Sequence, residues 1–328
     1  MLTNSSTQNN SGKQILYRIL RKKIQLFFCR FITDIIGLNP ELLGVPMQNY
    51  IKIPLRGVGQ VMLQNNAATG LLFLAGIFNN SWIMGLGAII GTVIGTITAK
   101  LLHYSEEDIN DGMYGFNGAL VGIAIWFYFG LTLSSSLALI IGTVLSTMIM
   151  HTMNARIPAF TAPFVISTWL VMLGIKIVAT IPFASSSLPQ NDSLDLFSAI
   201  SMGIAQVMFQ GNVLTGILFL LAILVSSRMA AVYALYGSLL GALLAMLLGL
   251  PLNMINVGLF GYNAVLCGLA LGTKKWDGFA IATGAILLSV LLNYGLGKIG
   301  IITLTAPFVI ITWVALGIKH LAGRGKST

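Results

Sequence analysis

Apolar runs separated by short polar breaks fill most of this chain. In the first part they are roughly Ala67 to Phe78, Trp82 to His103, Phe116 to Phe129, Leu131 to His151 and Ala162 to Ile177. A polar linker follows, Thr180 to Leu196 (TIPFASSSLPQNDSLDL). The series then recurs as Val213 to Ser226, Met229 to Leu250, Tyr262 to Leu271, Phe279 to Leu296 and Ala306 to Leu321. Crossing a hydrocarbon core of roughly 30 Å takes about 20 helical residues. Runs of about 12 to 16 therefore borrow flanking residues or are partly unwound. Upstream, Pro40 to Arg56, with Pro46 and Pro54, reads as a loop.

The recurrence extends to the polar breaks. Gly57 to Asn66 (GVGQVMLQNN) returns as Gly203 to Asn212 (GIAQVMFQGN), Gly112 to Leu120 (GMYGFNGAL) as Gly258 to Leu266 (GLFGYNAVL), and Thr161 to Trp169 (TAPFVISTW) as Thr305 to Trp313 (TAPFVIITW). The offsets are 146, 146 and 144 residues. Three ordered matches at a nearly constant offset mean two homologous halves joined head to tail. Five spans per half is odd, so the second half is expected to run through the membrane upside down relative to the first.

Composition agrees with a membrane protein: 8% of residues are charged, against about 25% in soluble domains. With the N-terminus inside and each GxxQV block a short re-entrant segment, sixteen of the eighteen lysines and arginines fall inside. Only Lys176 and Lys298 fall outside, as the positive-inside rule requires. The net charge of +9 is thus explained by basic loops at anionic headgroups rather than by nucleic-acid binding. Residues Lys13 to Arg30 form a basic amphipathic lead expected to lie on the inner surface, and no cleavable signal precedes it. Cys29 and Cys267, in different halves, suggest neither a disulfide nor a metal site.

The expected fold is an all-α polytopic membrane protein. It has two inverted-topology repeats, each of five transmembrane helices plus one re-entrant pore helix, with a pore between the halves. The expected segments are a cytoplasmic basic N-terminal segment (1–39), a first repeat (40–179), an extracytoplasmic linker (180–197), a second repeat (198–322) and a cytoplasmic tail (323–328).

The spans carry no ionisable side chain near their centres, where a proton relay or coupling-ion site would put one. No HExxH, GxSxG, Walker or CxxC pattern is present. What recurs is neutral and polar: Gln60 and Gln206, Asn117 and Asn263, Thr161 and Thr305. Unwound backbone beside such groups offers hydrogen-bond acceptors to a small neutral solute. Pro163 and Pro307 permit a helix to begin but not to continue through, which places Thr161 and Thr305 just before a new helix. Two ordinary proline kinks would read the same way. Gln60 with Leu63, and Gln206 with Phe209, are spaced to share one face of a short helix. Phe116 and Tyr262 follow Leu63 and Phe209 by 53 residues in both halves, with Leu120 and Leu266 one turn further on. Together these side chains are expected to line a flat slot. A membrane enzyme would instead cluster acid, base or metal residues in one half.

These paired blocks resemble the urea transporter family. The marks are the GxxQV pair, the GxxGFN/GYN pair, and IPAFTAPF (Ile157 to Phe164) with IITLTAPF (Ile301 to Phe308), which are similar to that family's Leu-Pro-x-x-Thr-x-Pro-Phe signature. The likeness runs from about residue 40 to 322. It implies a homotrimer of ten-span protomers; the basic lead and the charge count, for their part, suggest an inner membrane with both termini cytoplasmic. Each protomer would pass urea downhill without ion coupling, cofactor, metal or catalytic residue. By position, Gln60 and Gln206 would flank the filter mouths and Thr161 and Thr305 would narrow its middle. Leu63, Phe116, Phe209 and Tyr262 would form the walls. Three residues depart from the pattern: Leu63 replaces an aromatic wall, Tyr262 adds a hydroxyl, and Ile302 replaces the signature's first proline. Another small neutral solute, ammonia or a short-chain amide, is the alternative cargo.

Overall fold

Two of the polar breaks supply a side chain that a helix start requires, and each does so in both halves. Asn66 accepts from the amides of Ala68 and Thr69 at the head of one helix, and Asn212 accepts from Thr215 at the head of its counterpart. Ser81 and Ser227 each close one helix and cap the next, accepting from Met84 and Ala230. Such caps stabilise a helix start by about 1 kcal/mol each. The computed structural model describes residues 47–178, 182–184, 189 and 193–324. The basic lead Lys13 to Arg30 and Cys29 lie outside the described residues.

The first half contains α1 (Met47–Gln60), α2 (Ala67–Asn80), α3 (Trp82–Leu101), α4 (Glu106–Asn110), α5 (Gly115–Phe129), α6 (Leu133–Asn154) and α7 (Ala162–Val178). The second repeats the order as α8 (Leu196–Ala205), α9 (Val213–Ser226), α10 (Arg228–Leu247), α11 (Leu252–Asn256), α12 (Tyr262–Leu271), α13 (Trp276–Lys298) and α14 (Ala306–Arg324). Among the described residues there is no strand. Helices α3, α6, α10 and α13 are each long and apolar enough to cross a membrane. The pair formed by Leu196–Met208 and α9, bent by 72°, makes a fifth crossing if it counts as one span. The chain is therefore a multi-pass helical membrane protein.

Two local expectations need correcting. The part of Pro40 to Arg56 that is described is not a loop, because α1 runs through Pro54. A proline inside a free helix costs roughly 3 kcal/mol; burial of the apolar Val58 on the following turn works against that cost. The second correction concerns Leu63 and Phe209. They do not continue the helices that carry Gln60 and Gln206, but stand beyond the ends with left-handed backbones, φ 58° and 61°. The backbone tightens there into single turns, Leu63 N–H donating to the Gln60 carbonyl (2.9 Å) and Phe209 N–H to the Gln206 carbonyl (3.0 Å), and then turns left-handed.

The halves touch in a reciprocal manner. Thr69 on α2 donates its hydroxyl to the Ala222 carbonyl on α9 (2.9 Å), and Thr215 on α9 donates to Gly76 on α2 (3.0 Å). Phe73 and Phe219 meet edge to face between them at 5.0 Å. Within the first half, α3 and α5 pack backbone on backbone. A methyl group on Gly91 would lie 2.0 Å from the Gly118 carbonyl oxygen. Small residues at such crossings let dispersion contacts hold helices together where lipid removes the hydrophobic drive.

Candidate functional site

The breaks after α1 and α8 are held from within. At the first, Gln64, buried, donates its amide to the Met62 carbonyl at 2.8 Å. At the second, Gln210 donates to the Met208 carbonyl and accepts from Asn80 at 2.9 Å. A helix end leaves its last carbonyls without intrahelical partners, and a buried one needs a side chain to meet them.

The first block rests on the second. Gly57 lies against Gly112 and Gly115, and Gly203 against Gly258 and Gly261. Gly112 and Gly258 have φ of 77° and 79°, and a methyl group on either would come within 2.4 Å of the facing glycine amide. Only glycine meets both demands. Beside these contacts Gln60 donates to the Asp111 carbonyl (3.2 Å) and Gln206 to the Val257 carbonyl (3.0 Å). Both glutamines are half-buried. Arg56 has no basic counterpart in the second half. It donates to the Asn110 carbonyl (2.9 Å) and lies 3.7 Å from the Asp111 carboxylate.

The third block brings the halves together. Thr161 and Thr305, each immediately before its helix, meet hydroxyl to hydroxyl at 2.6 Å, both buried. The residues before them, Phe160 and Leu304, both have φ 47°. Asn117 and Asn263 hold these turns. Asn117 donates to the Phe160 carbonyl (3.4 Å) and accepts from the Phe164 amide (3.1 Å). Asn263 does the same with Leu304 (3.3 Å) and Phe308 (3.1 Å). Each asparagine thereby satisfies one of the free amides at a helix start. Trp169 then donates its indole N–H across to the Ile302 carbonyl, and Trp313 to the Pro158 carbonyl, both at 2.8 Å.

The expected wall residues occupy different settings. Phe116, Leu120 and Leu266 are buried, whereas Leu63, Phe209 and Tyr262 are half-buried. Phe209 sits among Phe127, Tyr128 and Phe164, with ring centroids 5.4, 6.0 and 6.3 Å away. The Tyr262 hydroxyl donates to Asn293 Oδ1 (3.1 Å) and pairs with the Thr303 hydroxyl (2.9 Å). These three residues line a cavity of about 420 Å³ with Phe260, Tyr294 and Lys298.

Several of these roles were missed in sequence. Gln64, Gln210, Trp169 and Trp313 carried a signal, their recurrence inside the matched blocks. Asn293 stood out only as an amide within an apolar run, and Phe127 and Tyr128 by nothing beyond their ring content.

This arrangement defines a helical membrane protein whose sequence-related halves meet at paired helix breaks lined by neutral polar groups. The profile of the family described as Urea transporter matches residues 51–320. The chain belongs to the urea transporter family, whose members are transporters rather than enzymes. It is 29% identical over 294 residues to urea transporter 1 of Ovis aries, a match covering 80% of this chain and 75% of that one. With urea transporter 1 of Rattus norvegicus it shares 31% over 242 residues, covering 66% and 62%.

Proposed function

We propose that this protein is a passive, channel-like transporter that moves urea down its gradient through a slot between its two halves. The observation that carries this reading is the contact of Thr161 with Thr305, 144 residues apart and bonded to each other at 2.6 Å. Equivalent residues that touch one another lie on or beside a two-fold axis. The exchanged contacts of Thr69 and Thr215, and of Trp169 and Trp313, are the off-axis signature of the same symmetry. The inverted repeat, with the α1 and α8 ends as re-entrant segments, accounts for these contacts and for the one-sided distribution of lysine and arginine.

In this mechanism urea sheds its water at a mouth flanked by Gln60 or Gln206. It slides edge-on between Leu63, Phe116, Phe209 and Tyr262, with Leu120 and Leu266 backing the slot. Its N–H groups bond to carbonyls of the unwound segments, and rotation of the Thr161 and Thr305 hydroxyls lets it through the narrowest point. Several weak sites in series allow rapid exit, and ions are rejected because nothing replaces their hydration. The protein is placed in the inner membrane as a homotrimer, both termini cytoplasmic, each protomer with its own pore.

Stopped-flow flux into liposomes carrying the purified protein tests this reading, with urea set against thiourea, acetamide and ammonia. Fast urea flux that ignores an imposed pH gradient supports it. Urea flux no faster than in empty liposomes, with ammonia or an amide passing, would transfer the assignment to the other solute.

A further inference from the structure

Tyr262 carries a hydroxyl where its counterpart Phe116 has none, and that hydroxyl is bound on both sides. Its proton goes to Asn293 Oδ1 (3.1 Å), and the Thr303 hydroxyl lies 2.9 Å away. Asn293 is 9% exposed and donates from its side-chain amide to the Leu259 carbonyl (2.9 Å). Leu259 follows the turn whose Val257 carbonyl is held by Gln206. One asparagine on the long helix α13 thus fixes both the turn leading into α12 and the first side chain of that helix. Tyr262, Asn293 and Thr303 all line the cavity of about 420 Å³. The Tyr262 hydroxyl is thus tied to two side chains that line the same cavity.

We propose that Asn293 and Thr303 are positioning residues that hold the Tyr262 ring in place and so set the width of the slot in the second half. This rests on the reading of Tyr262 as a slot wall. A ring tied at its hydroxyl gives a wall of fixed position, which passes flat urea and obstructs amides thickened by a methyl group. Released, the ring can move into the cavity, and the slot accepts bulkier solutes. The first half is built differently, because Phe116 has no hydroxyl to tie. The two wall sets therefore differ in stiffness, and discrimination is concentrated in the second half.

The test measures the methylurea-to-urea permeability ratio of the full chain in liposomes. Thr303→Val, which removes one bond to the Tyr262 hydroxyl, is expected to raise the ratio by about three- to tenfold, and Tyr262→Phe and Asn293→Leu, which remove two bonds each, by at least as much. Thr303→Ser keeps the hydroxyl and is expected to keep the ratio. The double variant Tyr262→Phe with Thr303→Val should go no further than Tyr262→Phe alone, since both remove the same bond. If Asn293→Leu does not fold, the Thr303 series decides the matter alone. A ratio that moves with Tyr262→Phe but not with Thr303→Val, or that Thr303→Ser fails to preserve, would overturn the positioning role and leave the wall standing. A Tyr262→Ala variant with unchanged ratio and unchanged urea flux would instead remove the wall reading itself.

Discussion

Asn117 and Asn263, one in each half, hold equivalent backbone groups, 43 and 47 residues further on for Asn117 and 41 and 45 residues further on for Asn263. Each donates to a carbonyl in a left-handed turn and accepts from an amide in the helix that the turn opens. The turn just before Thr161, and the one just before Thr305, are therefore fixed by one side chain apiece. Replacing Asn117 with Ala leaves the buried Phe164 amide without its partner, which costs about 1–3 kcal/mol beyond the lost bond. Thermal unfolding in detergent should reveal this loss for Asn117→Ala and a similar one for Asn263→Ala. Asn117→Asp should not rescue it, because an ionised carboxylate cannot donate to Phe160.

Trp169 and Trp313 exchange contacts between the segments before α14 and α7. Trp169→Phe and Trp313→Phe each remove one indole N–H bond and retain most of the ring. Each is expected to destabilise by about 1 kcal/mol. The two losses should be equal within error in the same melt; a marked inequality would contradict the reciprocal geometry.

Gly91 and Gly174 give a contrast within one protein. A methyl at Gly91 has no room against the Gly118 carbonyl, while one at Gly174 meets nothing within 4 Å. Gly91→Ala is expected to destabilise by about 3 kcal/mol or more by forcing α3 from α5. Gly174→Ala should be neutral, or stabilising by up to about 1 kcal/mol through helix propensity alone. Yields of folded protein and melting temperatures for the two variants distinguish these outcomes.

The fold was legible in sequence wherever local chemistry dictates it. The ten apolar runs are ten helices, and at four of them Asn66, Ser81, Asn212 and Ser227 mark the start by capping it. The left-handed turns at Leu63 and Phe209 were not legible, since neither residue is a glycine. They are imposed by packing and by the buried amides of Gln64 and Gln210. Pro54 misled in the opposite sense, because its local preference yields to the buried Val58 on the turn that follows. Partners 133 to 155 residues away, such as Ile302 for Trp169 and Pro158 for Trp313, leave no local pattern. Only the duplication hinted at them.

Acid should loosen the entry to α8. Asp195 caps that helix from an exposed position, and the Ser198 hydroxyl and then the Ser198 amide lower its carboxyl pKa below the ordinary value. A depressed folded-state pKa contributes stability that is complete above the ordinary carboxylate range and is lost as pH falls through the lowered value. The melting temperature should fall there more steeply in the parent protein than in Asp195→Asn, which has no charge to titrate.

The central claim is that solute crosses where Thr161 meets Thr305. Urea flux through liposomes carrying the Thr161→Val, Thr305→Val double variant tests it most directly, alongside the Thr161→Ser, Thr305→Ser control. Valine keeps the shape and removes both hydroxyls, so each loss should slow urea by up to about tenfold, while the serine control stays near the parent rate. A folded double-valine protein that passes urea at the parent rate would place the pathway elsewhere and contradict the account.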